Sequence, residues 1–334
     1  MTSHDLSEIR AGLPRAAFQS DPSKMIWLFF HALVVTLMYT CAGRVENLAW
    51  LTATVLMAGH SLACIAFYAH DLSHGSVIRN RTVVRLTEGL FLGLLLIAPT
   101  VWRRVHNHAH HSHYNTPNDP DRQFFSDETK ATTRWYIRLF YPNEDALTWN
   151  PLVLVHFIPY IIRNTITALS LPKYKLSIVP SRANFRGGEV RVVVLEILII
   201  ISIQLGLFIV CGLKLLEFSI MFVGVNVVAS AFTMVYIFTN HFLNPITPSP
   251  DPITNTTSVI VPRWIDKLHG HFSFHTEHHL FPGMNSNYYP QLSELLMARY
   301  PNTYRRIPIG SAWRDLWRAR AFINRPAGSA VSQD

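Results

Sequence analysis

The chain has 334 residues, of which 49% are apolar and only 15% charged, where soluble domains carry about a quarter, so an apolar surrounding medium is expected. The formal charge of +8 forms no basic stripe beside aromatic stacking residues, so nucleic acid is excluded as a partner and the excess is assigned to the cytoplasmic side of a membrane protein. The three cysteines (Cys41, Cys64 and Cys211) lie inside apolar runs, which excludes a disulfide framework and leaves any metal to nitrogen and oxygen ligands.

In chain order, residues 1–24 are a polar arm. The run from Met25 to about Ala42 is long enough to cross the hydrocarbon core, too long for a signal-peptide h-region, and followed by no A-x-A site. A second span, about Leu48 to Ala69, follows a short link at Gly43–Asn47, so the two form a tight hairpin. The run Leu90–Ala98, flanked by Arg85, Glu88 and Pro99, is too short to span and reads as an interfacial or re-entrant segment. So does 151–171, where Arg163 and Asn164 interrupt the apolar pattern. Two further spans, about Val192–Cys211 and Glu217–Thr239, form a second hairpin. Residues 244–258 are rich in Pro, Ser and Thr, as in an ordered surface loop or a flexible linker. The last 75 residues are polar, and within 311–323 Trp313, Leu316, Trp317 and Arg320 recur at helical spacing, the pattern of an amphipathic helix at a membrane surface or of an ordinary packing helix.

The expected fold class is therefore all-α: four transmembrane helices in two hairpins, with a cytoplasmic helical cap. The expected divisions are an arm at 1–24, a membrane domain at 25–305 and a tail at 306–334. An even number of spans returns both termini to one side. Of the 29 Lys and Arg residues, only Arg44 and Lys214 fall in the two short opposite loops, which puts the termini in the cytoplasm.

Histidine is the compositional outlier. Twelve of the 17 lie in three stretches, 70–74, 106–113 and 269–279, and the topology places all three on the cytoplasmic face. His70 and His74, at i and i+4, share a helix face. On a regular helix His106, His110 and His113 share one face, with His108 and His111 turned away. His275, His278 and His279, at i, i+3 and i+4, form a single face. A tetrahedral zinc needs three or four ligands, so eight or more convergent imidazoles imply two metal ions. Imidazole count alone admits zinc or copper as well as iron. The isolated His4, His31, His60 and His156 read as ordinary satisfied polar groups.

Two other readings compete. His70-Asp71-Leu72-Ser73-His74 is close to the H-E-x-x-H of zinc proteases, with Asp for Glu, but that reading leaves the other two clusters without a role. A metal transporter would need acidic or histidine residues in mid-span, where only His31 and His60 come near.

The three clusters resemble the boxes of the integral-membrane fatty acid desaturase and hydroxylase superfamily: H-x(3–4)-H at His70/His74, then H-x(2–3)-H-H at His106/His110/His111, then H-x(2–3)-H-H at His275/His278/His279. The context HFSFHTEHHLFPGMNSNYYPQL is similar to the desaturase branch, and the resemblance covers about residues 25–305. It implies two non-haem iron ions on these eight histidines. It further implies O2 as co-substrate, a fatty acyl substrate in the lipid bilayer whose carrier is open, and hydrogen loss from a methylene that yields a double bond. A further ligand after the last span would be His241, with Asn240 beside it; His108, His113, His269 and His271 would orient ligands or lie on the surface. No His-Pro-Gly-Gly haem segment is present, so electrons are expected from an external donor such as ferredoxin or cytochrome b5, docking on a basic face that includes Arg79, Arg81, Arg103, Arg104, Arg305 and Arg306. Hydroxylases, carotenoid ketolases, acetylenases and secondary-metabolite desaturases share the scaffold and remain alternative outcomes.

Overall fold

Nearly every element that the computed structural model describes is helical, and the description covers residues 3–121, 151–169 and 185–318. In chain order the helices are α1 (Ser3–Ala11), α2 (Lys24–Ala42), α3 (Leu48–Ser73), α4 (Arg81–Leu94), α5 (Pro99–His113), α6 (Phe157–Leu169), α7 (Gly187–Val210), α8 (Leu215–Phe242) and α9 (Pro252–Asn255). Strand β1 (Ser258–Ile260) precedes α10 (Arg263–Leu268), α11 (His275–Leu280) and α12 (Tyr289–Arg299); strand β2 (Arg306–Pro308) leads into α13 (Ile309–Arg318). Arg320 and the rest of the expected 311–323 helix beyond Arg318 lie outside the described residues.

Four helices, α2, α3, α7 and α8, are long and apolar enough to cross a membrane, with mean hydropathies of 1.8, 1.6, 2.7 and 2.0. Helical length explains the fit, because α7 at about 1.5 Å per residue outruns the roughly 30 Å hydrocarbon core. The chain folds as two compact units, one of 1–19, 108–153 and 235–334, the other of 20–107 and 154–234.

The second unit holds most of the membrane helices. Leu28, His31, Val35, Tyr39 and Ala42 make the buried stripe of α2, while Ile26, Phe29, Leu33 and Leu37 face outward. On α7, Leu195, Leu198, Ile201, Leu205 and Ile209 are all exposed. Water would penalise such surfaces heavily, and hydrocarbon does not. This makes the chain an integral membrane protein. Asn47 caps α3, accepting from the backbone N–H groups of Ala49 and Trp50. Helix α3 meets α8 where side chains are smallest: a methyl on Gly59 would sit 2.4 Å from Val228 Cβ, and one on Gly224 would sit 2.7 Å from Val55 Cγ1.

The Leu90–Ala98 run proves to be the end of a longer amphipathic helix, α4, which turns by 99° into α5. Leu96 takes a left-handed φ of 63° at the corner, and Pro99 opens α5 where no N–H is needed. Glu196, two turns along α7 from Glu189, caps that start: it accepts from Thr100 N at 2.9 Å and Thr100 Oγ1 at 2.8 Å. Arg103 lies 3.6 Å from Glu196 and bonds the fully buried Glu88, so charge is matched around the corner.

The first unit has its own core, where Ile9, Leu13 and Ala17 from the N-terminal arm pack with Ile253, Phe274, Met284, Tyr289, Leu292 and Leu296. Strands β1 and β2 pair in parallel, Ser258 opposite Arg306. The 244–258 segment is no flexible linker: Asn255, Thr256, Thr257 and Ser258 are fully buried. Its backbone is held by Asp251, which caps α9, and by the Asn255 amide, which accepts from Asp251 N at 3.0 Å and donates to the Pro245 carbonyl at 3.3 Å.

Candidate metal centres

In the membrane unit, α3 ends in His70 and His74, and α5 brings His106 to them. His70 Nε2 and His106 Nε2 are 3.1 Å apart, and the His74 ring centre is 4.9 Å from that of His70. The three residues offer nitrogens within 4.8 Å of one another. Nitrogens sharing one ion through bonds of about 2.1 Å lie about 3 Å apart, so the spacing fits a metal. The trio is positioned from behind. The Trp102 indole stacks on His106 at 4.2 Å and donates to Ser73 Oγ at 3.1 Å, while Asn107 Nδ2 donates to the Ser73 carbonyl at 3.0 Å. Asp71 is committed to a buried ion pair with Lys24 at 2.9 Å. A carboxylate so held is not placed to activate water, which removes the basis of the H-E-x-x-H reading.

The first unit gathers a second cluster. His110, His241 and His279 offer nitrogens within 4.8 Å of one another, and all three are buried. His275 Nε2 lies 2.6 Å from His241 Nε2 and 3.0 Å from His279 Nε2. His278 Nε2 lies 3.2 Å from His111 Nε2, and the His111 ring stacks on His279 at 4.6 Å. The expected face pattern of the second cluster therefore changes. Residues 103–110 wind as a π-helix, whose i→i+5 bonding widens each turn, so both His110 and His111 turn toward the box-three histidines while His113 is left exposed. Helix α8 likewise ends in a π-helical turn, Phe238–Phe242, that carries His241.

The electrostatics act in opposite directions on two of these rings. Burial, then the neighbouring His275, His111, His110 and His241, hold His279 well below its ordinary range. Around His110, burial opposes protonation but the carboxylates of Asp119 and Asp121 outweigh it and raise the pKa. His110 Nδ1 is 2.8 Å from Asp119 Oδ1, and His278 Nδ1 is 3.3 Å from the Tyr289 hydroxyl. Neither Asp119 nor Tyr289 was singled out by sequence reasoning. The available signals were a carboxylate close behind the second cluster and an aromatic pair behind the third. Glu277, buried between ligand candidates, accepts from Ser258 Oγ at 2.6 Å and from the Tyr304 hydroxyl, which moors α11 to β1; burial pushes its pKa up.

The remaining histidines are placed elsewhere. His108 is exposed like His113, whose Nδ1 bonds the Ala109 carbonyl at 3.0 Å. His271 pairs with Asp266 at 2.7 Å, and His269 Nδ1 lies 2.8 Å from the Tyr236 hydroxyl. Asn240 is fully buried, and its side-chain amide finds no hydrogen bond among the described residues. Of the expected docking arginines, Arg103 and Arg104 are tied to glutamates, Arg305 to Asp315 at 3.1 Å and Arg306 to Ser293 Oγ at 3.2 Å. Arg79 and Arg81 are exposed.

Comparison with known proteins matches residues 47–309 to the family model described as "Fatty acid desaturase". A "Delta 8-(E)-sphingolipid desaturase" of Kluyveromyces lactis (strain ATCC 8585) is 25% identical over 259 residues, 71% of this chain and 44% of that protein. A second protein of the same name from Kluyveromyces lactis is 26% identical over 271 residues, with the same shares. The chain thus spans under half the length of these curated relatives.

Proposed function

We propose, for a chain that belongs to the fatty acid desaturase family, that it introduces a double bond into the hydrocarbon chain of a membrane lipid, with O2 and an external electron donor. The observation that carries this reading is that imidazoles cluster at metal-binding distance within each unit, His70, His74 and His106 in one and the buried His110, His241 and His279 in the other. The donor set fits iron, being rich in neutral nitrogen and free of thiolate. His110, His241, His275 and His279 would hold one ion, and His70, His74 and His106 would hold another, with His111 and His278 as further ligands. Two non-haem irons bound there supply the activation of O2 that an unactivated methylene demands.

The reaction balances as two hydrogens removed from adjacent methylenes, with O2, two electrons and two further protons giving two waters. The residues of this chain have three tasks in it. They keep His279 neutral by burial, hold the outer nitrogens of His110 and His278 through Asp119 and Tyr289, and keep bulk water from the site. The names of the relatives support a lipid chain, acyl or sphingoid, as substrate. Basic residues concentrated on one side support a cytoplasmic site supplied by a ferredoxin or a cytochrome b5.

The test is metal analysis of detergent-purified protein together with lipid profiling of a host that expresses it. Two irons per chain and a new double bond are expected, both lost in His278→Ala. A single zinc, or product surviving that substitution, would overturn the proposal. A hydroxylated lipid in place of the alkene would transfer the chain to the hydroxylase reading.

A further inference from the structure

We infer that Asp119 is the positioning residue of the His110/His241/His279 ion, and that the Asn115–Asp119 loop, buried at both its ends, sets the aim of two of its ligands at once. This rests on the metal-site reading above.

Every acceptor of Asp119 is in use. Its side chain is fully buried. Oδ1 faces His110 Nδ1 at 2.8 Å and accepts from Asp121 N at 2.9 Å; Oδ2 accepts from Asn115 N at 2.8 Å. With both oxygens engaged, Asp119 is not itself a ligand. It accepts the hydrogen bond of His110 Nδ1–H and so leaves Nε2, a buried atom, to hold the ion. The same loop reaches His241. Asn115 has a left-handed φ of 51° and is fully buried. Its Nδ2 donates to the His241 carbonyl at 3.0 Å and to the Asn255 carbonyl, while its own carbonyl accepts from Thr247 N at 3.0 Å. The backbone of one ligand and the ring of another are thus fixed to five consecutive residues, and neither tie passes through the ion.

An amide cannot replace this carboxylate. In Asp119→Asn one acceptor oxygen remains for donors on two sides. If it serves His110, the new NH2 points at the Asn115 N–H, donor against donor. If it serves Asn115, the NH2 points at Nδ1, and His110 must move its proton to Nε2, the nitrogen the ion needs. Both outcomes weaken one ion and leave the His70/His74/His106 ion alone.

The experiment loads the purified full chain with Fe2+, or with Co2+ as an optical probe, and titrates a chelator against wild type, Asp119→Asn and Asn115→Gly. Glycine keeps the left-handed backbone and deletes only the side-chain ties. Each variant is expected to release one of two ions about 10- to 100-fold more easily, the usual effect of losing a ligand's outer hydrogen bond, and to retain the second at wild-type affinity. Thermal unfolding of the metal-free chains is expected to stay within a few degrees of wild type for Asp119→Asn, by our order-of-magnitude reckoning. Two ions held as tightly as in wild type would overturn the inference, and so would equal weakening of both, which marks a general structural role. A wild-type chain that binds no ion would instead sink the functional reading on which the inference stands.

Discussion

Removing the ammonium of Lys24 isolates a buried negative charge beside a proposed metal ligand. Lys24 Nζ lies 2.9 Å from Asp71 Oδ2, and the two side chains are only 4% and 7% exposed. At an effective dielectric near 20 that separation corresponds to an attraction of about 6 kcal/mol, set against a desolvation cost of several kcal/mol per ion. The net worth of the pair is therefore small, while the cost of breaking it is large. Lys24→Met is expected to destabilise the chain by about 3–5 kcal/mol, because Asp71 is left charged and unmatched. Lys24→Met combined with Asp71→Leu should recover most of that loss. The assay is thermal unfolding in detergent, where the single substitution should lower the apparent midpoint by on the order of 10 °C and the double far less. Metal content reports the local effect, because His70 precedes Asp71. A single variant within about 1 kcal/mol of wild type, or a double variant no better than the single, would refute the argument that the pair is buried and uncompensated.

Two further outcomes follow from the same structure. Glu196→Leu leaves Thr100 N–H and its hydroxyl without their acceptor, at about 1–3 kcal/mol for each unmet group, and frees the start of α5. Occupancy of the His70/His74/His106 ion should fall with it, whereas unchanged metal content would show that the corner does not position His106. At alkaline pH, burial first and then the Glu277 carboxylate push the Tyr304 phenol well above its ordinary value. The phenol's stabilising contribution is therefore complete below about pH 10 and is lost as pH rises beyond it, by up to about 1.4 kcal/mol per pH unit. Tyr304→Phe should flatten that limb of the stability profile; an identical slope in the variant would contradict the assignment.

Three buried carboxylates lie beside the histidine clusters without joining them. Asp71 faces Lys24, Glu277 faces hydroxyls, and Asp119 faces a ring nitrogen; each is spent on holding a histidine-bearing segment in place. A ligand set made of imidazole, as proposed above, would need such support, because a neutral ring fixes neither its own proton nor its own rotation.

Much of this protein is legible along the chain. Apolar runs of membrane length are a local property, so the four spans appear near their observed bounds, extended by a turn or so where α3 and α7 continue into polar residues. Histidine spacing is equally local, and it singles out the box residues and the matching family. Winding and burial are not local. A regular helix sends His111 away from His110; the π-helical turn that brings both to the box-three histidines depends on what lies around it. His241 stands outside the strict boxes, yet the end of α8 carries it to His275 at 2.6 Å. Residues 244–258 have the composition of a surface loop or a linker, yet Asn255–Ser258 are buried, because the Asn255 amide and the caps around it satisfy a backbone that would otherwise need water. Asp119 looks like an ordinary surface carboxylate in sequence, and Glu196 stands in an apolar run with nothing to name its partner, since a residue's neighbours do not announce a contact that is distant along the chain. Hydrophobic length and ligand chemistry are thus set residue by residue, while the tertiary structure alone decides which nitrogen each ring presents and what holds it there.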